Sequence, residues 1–122
     1  MERIRSSLES PAWSEFWLHL NVPLLSFEDV GLNEDSKDED VWDLCQQSQW
    51  VLITGNRNSK GSDSLGQTIR RKNRPESLPV ITVADPDLVM KSGTYVERVT
   101  EKVLEFLLAI ENIRGSGRLF VP

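Results

Sequence analysis

A chain of 122 residues and 13.9 kDa has room for one domain with a real core, and not for two. A hydrophobic share of 39%, with four Trp and four Phe, excludes a disordered chain, and a net charge of −5 argues against a broad nucleic-acid-binding face while leaving room for a local one. No apolar run approaches the ~20 residues of a membrane span, the N-terminus lacks the apolar centre of a secretory signal, and a lone Cys45 rules out an intramolecular disulfide or a Cys-based zinc cluster, so a cytoplasmic protein is expected.

Residues 2–9 are polar and charged, and Pro11 sits near the start of the first expected helix. Trp13, Phe16, Trp17 and Leu20 follow at helical spacing, which predicts a short amphipathic helix over 11–20 with its aromatic side chains in the core. His19, the sole histidine, reads as a surface residue and not as a ligand or base. VPLLSFEDV (22–30) predicts a strand over 22–28 and a turn closed by Gly31. In the acidic run 33–40, Ser36 and Glu39 form a capping box, so a helix should begin at about residue 37 with Val41, Leu44, Cys45 and Ser48 inward and Trp42 at the margin. Acids in a first turn suit the helix dipole, which explains this run without metal binding.

Next come a strand over 50–54, a loop over 55–62 and a helix over roughly 63–72, with Asp63 as its N-cap and Arg70, Arg71 and Lys72 at its end. Pro75 stops that helix. The continuous apolar run Leu78–Ala84 predicts a strand buried on both faces. Asp85-Pro86-Asp87 turns the chain, and Leu88–Met90 make one helical turn. Thr94 and Glu97 form a second capping box, so the longest helix should occupy about 95–112, with Val96, Val99, Val103, Leu107 and Ile110 on one face and Leu104, Phe106 and Leu108 widening it. RLFV (118–121) is a last short strand. The alternation of helix and strand places the chain in the α/β class with a mostly parallel sheet of about four strands.

The stretch Gln49–Lys72 is strand, polar loop and helix, and its loop leaves from the carboxyl end of the strand, where open α/β sheets bind ligands. Gly55, Asn56, Arg57, Asn58, Lys60 and Gly61 are therefore the candidate binding loop, with Arg57 and Lys60 favouring an anion. A P-loop is not present: it needs glycine before lysine, and here Lys60-Gly61 run in the reverse order. Gly61–Gly66 has one residue too many for a serine-hydrolase elbow and no nearby base, so Ser62 and Ser64 read as caps. A metal-dependent nuclease needs several converging carboxylates, because Mg2+ takes oxygen ligands in octahedral geometry. The acids near strand ends are Asp29, Asp38, Asp63 and Asp85, of which Asp38 and Asp63 start helices that face one cleft.

The segments DVGLNEDSKDEDVWDLC, WVLITGNRNSKGSDSLGQTI, SLPVITV and YVERVTEKVLEFLLAIENIRGSGRLFVP resemble the DUF5615 (Mut7-C-like) group of small PIN-like predicted nucleases, frequent in bacteria and cyanobacteria. The resemblance covers nearly the whole chain from about Leu8, and the NRN-x-K-G-x-DSL block and the terminal RGSGRLFVP carry it most specifically. It implies a PIN-like three-layer α/β/α sandwich and metal-dependent RNA cleavage, often in a toxin–antitoxin setting. Of the acids it implies, the one in the helix-start segment matches Asp38. The acid after the strand falls on Gly55, a Glu expected after D-S-L falls on Gly66, and the acid-bearing first strand has no counterpart. A catalytically degenerate domain acting through binding is therefore expected. The alternative is an active Mg2+-dependent ribonuclease with Asp38 and Asp63 as catalytic and metal-ligating residues, and Mg2+ is expected only in that case. The partners in view are RNA, an antitoxin-like protein or a second copy of the chain, since a missing first strand would leave neighbouring strands separated by a gap unless they pair in a new order.

Overall fold

The computed structural model describes residues 2–122. Three parallel strands, β1 (Ile53–Thr54), β2 (Val80–Val83) and β3 (Arg118–Val121), form one sheet in the order β1-β2-β3. Ile81 lies opposite Ile53 on one side and Leu119 on the other. All four residues of β2 are buried, as its β-branched run predicts for a central strand covered on both faces. The α/β class and the parallel pairing agree with the sequence, but the sheet has three strands where about four were expected.

The missing member is 22–28. Pro23 has no amide to donate, Leu24 O accepts from the Arg5 guanidinium, and the Ser26 amide donates to the Asp29 carboxylate. The chain then tightens into a 3-10 turn, Glu28–Val30, ended by Gly31 at φ +80. With that segment outside the sheet, β1 pairs directly with β2, so the strands meet in a new order without the expected gap. What stays open is the outer edge of β1.

Six helices cover the sheet: α1 (Glu2–Leu8), α2 (Ser14–Leu20), α3 (Asp38–Ser48), α4 (Leu65–Lys72), α5 (Pro86–Lys91) and α6 (Gly93–Leu108). The period-two alternation of β2 sorts them into layers. Val80 packs with Val41, Trp42 and Cys45 of α3 and Leu65 and Ile69 of α4. Ile81 and Val83 face the other way, onto Ile4 and Leu8 of α1, Val89 of α5 and Val96, Val99 and Val103 of α6. The connections through α4 and α6 step the same way across the sheet yet lie on opposite faces, so they have opposite hands and one departs from the right-handed rule.

Several boundaries differ from the sequence pattern for identifiable reasons. Residues 2–9, polar in composition, are mostly helix: Ile4 and Leu8, spaced i and i+4, share one face and are buried against α6. Trp42, expected at the margin of α3, is buried. Ser36 does not cap α3; its hydroxyl accepts from the Asn33 amide, and the helix starts at Asp38 with three acids in its first turn. At α6 the cap is Ser92, whose Oγ accepts from the Tyr95 amide, and Thr94 lies inside the helix. That helix ends at Leu108, which is 60% exposed, and a 3-10 turn, Ile110–Ile113, follows it.

The N-cap of α4 is likewise Ser64 and not Asp63: Ser64 Oγ accepts from the Gln67 amide at 3.2 Å, while the Asp63 side chain is exposed and makes no hydrogen bond among the described residues. Ser64→Ala should therefore cost about 1 kcal/mol, and Asp63→Ala should stay within about 0.5 kcal/mol of the parent. Thermal melts of the two variants side by side check this, and the reverse ranking would return the cap to Asp63.

Lys72 at the end of α4 has more than a dipole role. Its Nζ lies 2.8 Å from both Glu39 and Asp43 of α3. The Lys72 hydrogen bond holds the Glu39 carboxyl below its usual range, and bonds to Asp43 and then Glu39 hold Lys72 above its own. The network ties α3 to α4 at the surface, where solvent screening keeps its contribution small.

Candidate functional site

The loop leaving β1 is organised by its own short polar side chains. The Asn56 amide donates to Thr54 Oγ1 at 3.1 Å, the Asn58 amide to Asn56 Oδ1 at 2.9 Å, and the Lys60 amide to Asn58 Oδ1 at 3.0 Å. Asn side chains that bond the backbone two residues on stabilise successive tight turns. Gly61 turns at φ +85, a conformation that favours glycine. Gln67 and Arg71 of α4 then donate to Ser59 O and Ser62 O, so the helix holds the far side of the loop.

Asp38, at the start of α3, meets this loop. Asn56 Nδ2 lies 3.2 Å from both Asp38 carboxylate oxygens. Arg118 approaches from β3 and donates through Nη1 to Asn56 O at 3.1 Å, while its Nη2 is buried without a partner. Burial pushes the Arg118 guanidinium down, and the nearby Asp38 charge opposes this. Arg57 is occupied too, donating to Ala84 O at 2.9 Å across the end of β2. Lys60 and Arg70 are exposed and form no ion pair among the described residues. Arg70, Arg118, Asn73 and Ser59 line a shallow cavity of about 410 Å3 between α4 and the start of β3.

The structure joins Asp38 to the loop although the strand 22–28 expected to precede it is absent from the sheet, and no bond links Asp38 to Asp63. Each of the other acids near strand ends has a local structural task. Asp29 accepts from the Ser26 amide, a bond that holds its carboxyl below the usual range. Asp85 caps α5 by accepting from the Leu88 amide. Among the described residues no group of three or more His, Cys, Asp or Glu could hold a metal ion. Asp38 shares one Asn56 Nδ2 donor between its two oxygens and is bonded to no second acid. A lone carboxylate does not supply the several oxygen ligands of a Mg2+ site, so the residues present do not fit Mg2+.

Two glycines of the site lie close to neighbouring atoms. A Cβ at Gly55 would lie 3.0 Å from Pro86 Cγ, and one at Gly66 would lie 2.8 Å from Ser59 Cα and collide with the Ser59 hydroxyl. A side chain at Gly66 would require backbone to move, whereas one at Gly55 would press on the Pro86 ring by a few tenths of an ångström. Sequence reasoning missed Arg118, which reads only as the first residue of a short strand. The one available signal is its register: it lies opposite Val80 and so shares the α3/α4 face of the sheet. No family model, curated protein or solved structure matches this chain.

Proposed function

We propose that this chain acts by binding and not by catalysis, and that the loop 55–62 with the adjoining face of α4 receives the phosphate backbone of RNA. The observation that carries the non-catalytic half is Gly55 itself, which supplies no carboxylate at the end of β1. The resemblance to PIN-like nucleases would place a carboxylate there, and Asp38, the acid that remains, is turned to Asn56. The binding half rests on cations left without acidic partners. In a chain of net charge −5, Lys60 of the loop and Arg70 of the cavity form no ion pair among the described residues, and Arg118, beside Asp38, lines the same cavity as Arg70. Lysine and arginine at a phosphodiester release condensed counterions, so such binding is weak and steeply salt-dependent.

A fluorescent single-stranded RNA oligonucleotide titrated with the purified chain tests both halves. Binding at low salt should weaken in Lys60→Glu and in Arg70→Glu, each lowering the salt slope by about 1. RNA incubated with Mg2+ or Mn2+ should stay intact. Absence of any RNA binding at low salt would end the proposal, and metal-dependent cleavage lost in Asp38→Ala would install the ribonuclease alternative.

A further inference from the structure

We infer that the open edge of β1 is a receptor for one extended strand of a partner protein, inserted between the two helical layers. This goes beyond the RNA-binding loop and uses the opposite, apolar side of β1. In the parallel ladder Leu52 O accepts from the Ile81 amide, so Leu52 and Thr54 direct their backbone groups to β2. Val51, Ile53 and Gly55 alternate with them and direct theirs outward. Among the described residues no protein group pairs with those outward amides and carbonyls. A row of unpaired groups at period two along a sheet edge is a template for another strand.

The space beside that edge has the shape of a strand slot. A groove of about 470 Å3 runs along β1. Trp17 and Leu107 bound it on the α2/α6 side, and Leu32 and Cys45 on the α3 side. Leu24 and Leu25 form the wall opposite β1, in the segment 22–26, whose own backbone makes no backbone–backbone bond. Val22, Leu25 and Phe27 are each about 40% exposed there, so the wall is apolar. Glu2 and Arg5 are the only charged residues lining the groove, and they pair with each other at 3.8 Å.

These features define the occupant's chemistry. A strand lying between two helical layers buries both faces and must be near-continuously apolar, as β2 is, in contrast to the alternating pattern of a half-exposed strand. The outward groups span residues 51–55, so a neutral, β-branched run of about five residues matches the edge at ~3.3 Å each. The edge lies in a concavity, and two copies of a concave surface cannot close on each other. A projecting strand of a different protein fills it, by the strand-addition mode of peptide recognition.

The test uses the full chain, a lysine-flanked peptide with a core of alternating valine and isoleucine, and the same peptide N-methylated at every core amide. Amide hydrogen exchange is followed by NMR. The Val51 and Ile53 amides should exchange freely in the chain alone and about tenfold more slowly with saturating unmodified peptide. The methylated peptide should leave them unchanged, because it keeps the side chains and loses the donors. Leu25→Arg, at an exposed position, should abolish the protection with the fold intact. Amides already protected in the free chain, no response to the unmodified peptide, or equal responses to both peptides would overturn the inference. So would light scattering that shows the chain dimerising alone with the same amides protected, since a second copy would then be the occupant. None of these readouts involves RNA, so failure here leaves the loop 55–62 reading standing, and the converse holds.

Discussion

Leu8→Ala should destabilise the chain by about 3 kcal/mol, within the range for a fully buried leucine. Leu8 is completely buried and Ile4 nearly so, and both pack into the cluster built by Val99 and Val103 of α6. The loss has two parts: the transfer free energy of the deleted carbons, and the cavity left where rigid β-branched neighbours cannot collapse. For a domain of this size the melting temperature should fall by roughly 10 °C or more. Leu18→Ala is the internal control. Leu18 belongs to the same number of carbons but is 74% exposed, so its cost should stay near 0.5 kcal/mol or below. Urea titrations that return equal m-values and a large difference in midpoint between the two variants confirm the assignment. If Leu8→Ala costs less than about 1 kcal/mol, α1 is not part of the core.

That α1 matters at all was not legible in the residues. Seven residues with two apolar side chains give too few repeats to reveal a period, and only the groove left by α6 selects Ile4 and Leu8. The opposite error occurred at 22–28, where Leu24, Leu25 and Phe27 look like a buried strand. A strand is defined by its partner, and Pro23 with the Asp29–Ser26 turn keeps this segment out of the ladder. By contrast β2, α3 and α6 were readable, because a continuous run with four successive β-branched residues and long 3.6-residue periods leave few alternatives. Caps fell between these cases. Each helix start offered several hydroxyl or carboxylate groups within three residues, and Ser64 and Ser92 were selected by which side chain reaches an orphan amide.

The candidate site divides in the same manner. That the loop leaves the carboxyl end of β1 followed from the strand–loop–helix pattern, whereas Asp38 reaches that end from the start of α3 without the strand 22–28 expected before it. The pairing of Asp38 with Asn56 depends on the exact turn of the loop, which two Asx-type bonds and one bond to the Thr54 hydroxyl set. Arg118 enters from the far end of the sequence through the β2–β3 register, which no local pattern encodes. The crowding at Gly55 and Gly66 arises from Pro86 and Ser59, so a glycine that reads as flexibility is in fact a close approach.

Gly115→Ala should be the most damaging single-methyl addition in the chain, at about 2–4 kcal/mol. Gly115 sits at φ +85, where an L side chain is strained, and a Cβ there would lie 2.9 Å from Pro75 O and 3.1 Å from Pro75 Cα. Neither obstacle is the end of a flexible side chain, so backbone has to shift. Relief by movement is costly because both polar groups of the residue are held. Its amide donates to Ser77 O at 2.8 Å, and its carbonyl accepts from Asn73 Nδ2 at 2.8 Å. Two residues later Gly117 O receives the Val80 amide, the first bond between the chain entering β3 and β2. A displaced Gly115 therefore loosens the start of the β2–β3 pairing and, through Arg118, the support beneath Asn56. Gly31→Ala provides the control, since Gly31 has nearly the same φ of +80 but open space around its Cβ. It should show the conformational strain alone, about 1–2 kcal/mol. Chemical denaturation of both variants measures the difference. An excess of Gly115→Ala over Gly31→Ala, with the NMR amide signals of Asn56 and Val80 shifted only in the former, is the expected result; equal costs would show that Pro75 yields and that this turn does not set the register of β3.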